Sequence, residues 1–128
     1  MPKKYDALHR LILLGGEKGG VGKSLTAKVF TEYCLSKYPG KFALIESDSS
    51  NPDVWRIYEE KVPTGTLAYF SDDPTQRTLA DPLINTSVTQ PLTICNLPAQ
   101  VHDAIKGWFI DDNLYELTND ENIRITYV

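Results

Sequence analysis

Residues 11–24, LILLGGEKGGVGKS, run from a short apolar stretch into glycines and end in Gly22-Lys23-Ser24. That order of residue types suits the binding of a polyphosphate. Backbone N–H groups must close round the anion, and Gly19, Gly20 and Gly22 let the chain approach where a Cβ would stand in the way. Lys23 would set its ammonium against the β- and γ-phosphates and Ser24 would offer its hydroxyl to Mg²⁺. The helix opening there would point its positive end at the anion. Val21, within the loop, and Leu25, just beyond it, belong to the same cofactor-binding set. Glu17 stands where the pattern G-x-x-x-x-G-K-[ST] begins with glycine, so the plain pattern is not met.

Two further groups of residues could act on such a ligand. Glu46-Ser47-Asp48 follow an apolar run directly. A carboxylate at that strand end would lie beside the phosphate loop, where it orients an attacking water or holds the hydration shell of a metal. Acids of this kind also serve simply to solvate a loop. In the segment Ile94-Cys95-Asn96-Leu97-Pro98-Ala99-Gln100, a strand pattern ends at Asn96 and proline follows. The amide of Asn96 can accept a hydrogen bond from a metal-bound water but brings no charge. A strand ending before proline has purely structural reasons too.

The elements that must position these groups alternate along the chain. Residues 9–14 read as a buried strand, and 23–37 as a helix whose Ala27, Phe30, Cys34 and Leu35 share a face. Tyr38-Pro39-Gly40 ends it. Residues 42–45 form a second apolar strand. Asn51 is expected to cap a short helix with Pro52 at its first position, followed by Val54, Trp55, Ile57 and Tyr58. A third strand is expected over 66–70, and a mostly polar helix over 73–84, interrupted by Pro82. A fourth strand falls at 92–96. Beyond Pro98 comes a helix carrying Val101, Ile105, Trp108 and Phe109, then a short one near 114–117 and a fifth strand over 123–128. The expected fold class is α/β, a three-layer fold with a mainly parallel sheet between helices, whose ligands bind beyond the carboxyl ends of the strands.

The 128 residues suit one domain with enough apolar content for a core. A net charge of −4 does not favour nucleic acid or an anionic membrane as partner. The apolar run 11–14 is too short for a signal peptide core and no stretch suits a bilayer span, so a cytoplasmic location is expected. Cys34 and Cys95 show neither metal-ligand nor redox spacing and read as packed, reduced thiols. His9 and His102 stand apart from other ligand types and read as surface or packing residues. Trp55, Trp108 and Phe109 read as core or interface aromatics.

Residues 18–24, Lys18-Gly19-Gly20-Val21-Gly22-Lys23-Ser24, match the deviant Walker A loop K-G-G-x-G-K-[ST]. In this the chain resembles the ParA/MinD family of P-loop ATPases. The resemblance implies one P-loop nucleotide-binding domain over 1–128, ATP and Mg²⁺ as cofactors, slow hydrolysis, and a homodimer in which Lys18 reaches the partner's nucleotide. It places Glu46 and Asp48 at the acids of switch I, with Asp48 activating water and helping to hold the metal's hydration shell. It places Asn96 at the head of switch II, where the family carries an acid that assists Mg²⁺. The form Leu97-Pro98-Ala99-Gln100 ahead of Trp108-Phe109 looks most like ATPases encoded on conjugative and mobilisable plasmids. That implies a switch in plasmid or DNA partitioning, transfer or positioning, working on a protein partner that the sequence does not identify. Family members also carry strands beyond the point reached by residue 128, so the sheet is expected to be incomplete at its C-terminal side. Because of Asn96, a non-hydrolysing nucleotide- or partner-binding module stays open as an alternative. A P-loop enzyme acting on a small metabolite fits the loop as well, but Lys18 argues against it.

Overall fold

The computed structural model describes residues 8–15, 21–49, 52–62, 64–71, 73–98, 101–111 and 114–128. Five strands, β1 (His9–Leu14), β2 (Phe42–Glu46), β3 (Thr64–Leu67), β4 (Leu92–Asn96) and β5 (Ile123–Tyr127), form one sheet in the order β3-β2-β4-β1-β5. Every pairing is parallel. The helices α1 (Val21–Lys37), α2 (Asp53–Tyr58), α3 (Asp81–Ser87), α4 (His102–Asp111) and α5 (Leu114–Asp120) lie in the connections. The fold is α/β, an all-parallel sheet flanked by helices. No helix among the described residues is long and apolar enough to cross a membrane.

A parallel sheet covered on both faces needs apolar side chains on both sides of each strand, and alternate residues here feed two separate cores. Leu11 and Leu13 of β1, Ile45 of β2 and Cys95 of β4 pack with Leu83 of α3 and with Ile105 and Trp108 of α4. The intervening residues, Leu14, Leu44 and Ile94, pack with Ala27 and Cys34 of α1 and with Val54 and Tyr58 of α2. Val101, just ahead of α4, and Ile105 and Trp108 within it recur at helical spacing, and the Trp108 ring meets Phe70 edge-on at 5.3 Å between centroids. In α1, Ala27, Thr31 and Cys34 form the fully buried stripe. Gly40, at φ +74°, makes the turn that follows α1, a conformation that favours glycine.

Several boundaries differ from the expectations. α1 begins at Val21, two residues earlier than expected, so Gly22, Lys23 and Ser24 fall in its first turn. β3 spans Thr64–Leu67 instead of 66–70. Its Gly65 fits because the Trp55 ring lies 3.0 Å from where a Cβ would stand, a cross-element contact that strand propensity does not register. The region expected as one helix broken at Pro82 is a 3₁₀ segment, Pro74–Ala80, followed by α3, with Pro82 in the first turn of α3. Proline lacks the N–H that a first turn leaves unbonded, so here it starts a helix. Pro52 occupies the cap position of α2, not its first turn, and Asn51, the expected cap, lies outside the described residues.

Candidate functional site at the carboxyl edge of the sheet

The chain leaves β1 toward β2 on one side and leaves β4 toward β5 on the other, although β1 and β4 are neighbours. Connections that depart from adjacent strands in opposite directions open a crevice at the carboxyl edge, the usual ligand position in such sheets. The strand ends there are level. Leu14 pairs with Asn96, and Asn96 with Glu46. Backbone bonds carry the alignment one step further, from Leu97 N–H to the Leu14 carbonyl at 3.0 Å and from Ser47 N–H to the Asn96 carbonyl at 2.9 Å.

Each of the three segments singled out in the sequence leaves this edge. The glycine-rich segment connects β1 to α1, Glu46-Ser47-Asp48 end β2, and Asn96 ends β4. The backbone of Val21, Gly22, Lys23 and Ser24 is helical, so their N–H groups belong to the amino end of α1. Lys18, Gly19 and Gly20 lie outside the described residues. The side chain of Leu25 is 62 % exposed on the first turns of α1.

Period-two alternation puts Glu46 and Asn96 on the α1/α2 face, where Leu44 and Ile94 precede them. Both side chains are buried, Glu46 completely. The Glu46 carboxylate is met by three donors. Oε1 accepts from the Trp55 N–H at 3.0 Å, and Oε2 accepts from the Asp48 N–H at 3.2 Å and from Nδ2 of Asn96 at 2.7 Å. Burial pushes the carboxyl's pKa up; the Asn96 amide and the Trp55 and Asp48 N–H groups pull it back, and the nearby Asp48 adds a smaller push upward. The net direction is upward. A charge taken out of water costs several kcal/mol unless hydrogen-bond donors replace the lost water, and three donors do so here.

The amide of Asn96 donates to Glu46 through Nδ2, so the acceptor role expected of it toward a metal-bound water would fall to Oδ1. Asp48 follows two residues later and is buried to 6 % exposure. Ser47 turns to the opposite face, its hydroxyl 3.2 Å from the Cys95 sulfur. Both cysteines are buried thiols outside any disulfide, as their spacing suggests. His9 donates Nδ1–H to the Gln90 carbonyl at 2.8 Å, a packing role at the amino end of β1. Among the described residues no group of three or more His, Cys, Asp or Glu converges on a metal position.

Gly15 was not among the residues singled out in the sequence, yet it fixes where the glycine-rich segment departs. Its N–H donates to the Val128 carbonyl at 3.0 Å, and a Cβ there would run into the hydroxyl and ring of Tyr127. Only a tertiary neighbour distinguishes this glycine from those around it.

No protein-family model matches the chain, and no solved structure matches it. One curated protein that does match is "Protein MobD" of Acidithiobacillus ferrooxidans, 50 % identical over 54 residues, which are 42 % of this chain and 23 % of that protein. The chain is therefore similar to a stretch of less than a quarter of the MobD protein's length.

Proposed function

We propose that the chain is an ATP- and Mg²⁺-binding P-loop protein of the ParA/MinD type, a nucleotide-dependent dimeric switch with slow ATP hydrolysis. The observation that carries this reading is the place of the segment ending Gly22-Lys23-Ser24. It joins β1 to α1 at the switch point of a parallel sheet, with the acid-bearing end of β2 and the end of β4 level beside it. The name of the MobD relative is compatible with plasmid mobilisation, and the role proposed is in plasmid or DNA transfer, partitioning or positioning.

In this reading the backbone from Gly19 to Ser24 and the Lys23 ammonium bind the phosphates, and the Ser24 hydroxyl holds the metal. Bound Mg²⁺ would neutralise charge on the phosphate oxygens. Asp48 orients the attacking water. Lys18 acts across the dimer on the partner's phosphates, stabilising charge as an arginine finger does. The γ-phosphate would set the position of the segments after β2 and β4, and with them the affinity for a protein partner.

Calorimetric titration with Mg²⁺-ATP and Mg²⁺-ADP, with light scattering to follow mass, tests the reading on the chain and on Lys23→Ala. Binding that Lys23→Ala abolishes, with ATP alone doubling the mass, is the expected result; failure to bind either nucleotide overturns it. Lys18→Ala should lose dimerisation while keeping monomer binding. Asp48→Ala should lose turnover while keeping affinity. The hydrogen bond from Asn96 Nδ2 to Glu46 favours a second reading, a non-hydrolysing nucleotide- or partner-binding module, because it gives position 96 a structural role that needs no hydrolysis. Binding without release of phosphate over many hours would select it.

A further inference from the structure

The three donors on Glu46 come from three different parts of the chain: the segment after β2, the first turn of α2, and the end of β4. We infer that Glu46 is a positioning residue whose carboxylate latches the Asp48 segment and the start of α2 to the end of β4, with the Asn96 amide as its required complement. The functional consequence rests on the reading of Asp48 given above, whereas the latch itself is a property of the fold.

α2 has six residues and no side-chain cap of its own. A helix this short holds its first turn only when its open N–H groups find outside acceptors. Glu46 supplies one to Trp55. At the other end of α2, the Tyr58 hydroxyl donates to the Glu32 carboxylate at 2.8 Å, on α1. The helix that follows the glycine-rich segment and the segment that carries Asp48 are thus joined through α2, and the Glu46 carboxylate adds a directed bond to the packing of Val54 and Tyr58 that holds α2 on the sheet. Displacing the Asp48 N–H or the end of β4 alters the same oxygen, Oε2.

This geometry gives position 96 a meaning different from a missing acid. The carboxylate of Glu46 can only accept, so the group facing it at 2.7 Å must donate. An aspartate there would set two carboxyls face to face inside the protein, which at a pH well above the ordinary carboxylate range must either repel as anions or hold a proton against the solvent, costly either way. Asparagine is the residue of the same shape that donates.

The test combines Glu46→Gln, Asn96→Asp and the double variant at one fixed pH, followed by denaturant unfolding and by amide hydrogen exchange at Asp48 and Trp55. Asn96→Asp should raise the unfolding equilibrium constant by about tenfold or more, as two facing carboxylates demand. The double variant should recover most of that, because the amide introduced by Glu46→Gln then donates to the new carboxylate. The same orientation turns an N–H₂ toward the Asp48 N–H. Exchange at Asp48 should therefore accelerate about tenfold or more while Trp55 keeps its acceptor. In Glu46→Gln alone the single oxygen turns toward Asp48 and Asn96, and Trp55 is the amide released. A merely structural loosening would expose both amides together in every variant.

A double variant no more stable than Asn96→Asp, or equal changes at the two amides, overturns the latch. If Asn96→Asp does not fold, Glu46→Gln alone decides by the same split between Trp55 and Asp48. Turnover in the double variant should fall with nucleotide affinity retained; a fall in affinity alone would deny Glu46 the positioning role. If the wild-type chain binds no nucleotide, the proposed function fails, but the exchange pattern still reports on the latch.

Discussion

The last two rows of side chains across the centre of the sheet differ by a single residue step and face opposite ways. Leu13, Cys95 and Ile45 form one row, packed under α3 and α4; Leu14, Asn96 and Glu46 form the next, under α1 and α2. Both rows are buried to the same degree. The first is held largely by apolar contact, which tolerates apolar side chains of similar volume. In the second, Leu14 packs in the same way, but Asn96 and Glu46 are held by directed hydrogen bonds to a buried carboxylate, which tolerate almost no change of donor or acceptor. Equal burial therefore marks a core on one face and a constrained polar junction on the other, and the junction lies beside the segments that would meet a ligand.

Truncation separates the two faces. Trp108→Ala, under the apolar row, should cost about 3–5 kcal/mol in denaturant unfolding, the usual range for deleting a buried aromatic. A cost below about 1 kcal/mol would show that α4 is not integral to the fold.

A closer comparison uses neighbours. Ile45→Ala should cost about 2–5 kcal/mol and respond to cavity-filling replacement by leucine or valine. Glu46→Ala should cost about 3 kcal/mol through donors left buried without an acceptor, and hydrophobic replacement should not restore it. Recovery of stability in Glu46→Leu would break the comparison.

Cys34 shows that the α1/α2 face is itself apolar away from the strand ends. Burial pushes its thiol up to about 11. Folded stability is then fully present below an ordinary thiol's titration near pH 9 and is lost as pH rises through about 11, because the unfolded chain gives up the proton first. At pH 8 in Cys95→Ser, a disulfide reagent should react with Cys34 about a hundredfold more slowly than with a free thiol, and at the ordinary rate once denatured. Rapid reaction in the native state would show that this face opens.

The smallest effect is expected at the edge. Gly15→Ala should cost about 1 kcal/mol or less, because the half-exposed Tyr127 ring can swing into solvent. Tyr127→Ala should remove even that cost, measured by the shift in thermal midpoint.

Much of this architecture is legible in the chain because it is local. Apolar runs at 9–14, 42–45 and 92–96 and the spacing of Val101, Ile105 and Trp108 reveal strands and a helix through their periods. The departures are equally instructive. Gly65 and Gly15 read as generic glycines, since what requires them, the rings of Trp55 and Tyr127, lies elsewhere in the sequence. Pro82 reads as a breaker because its effect depends on whether the helix has already begun.

The sequence by itself determined the α/β alternation and the glycine-rich character of the segment between β1 and α1, because backbone periodicity and glycine freedom act over a few residues. The strand order β3-β2-β4-β1-β5 was decided only by tertiary structure, as was the meeting of Glu46 with Asn96, fifty positions apart. The physical reason is the partner. A carboxylate at the end of an apolar strand is equally consistent with solvent, metal or protein, and only the fold brings up the amide and the two N–H groups that bind it.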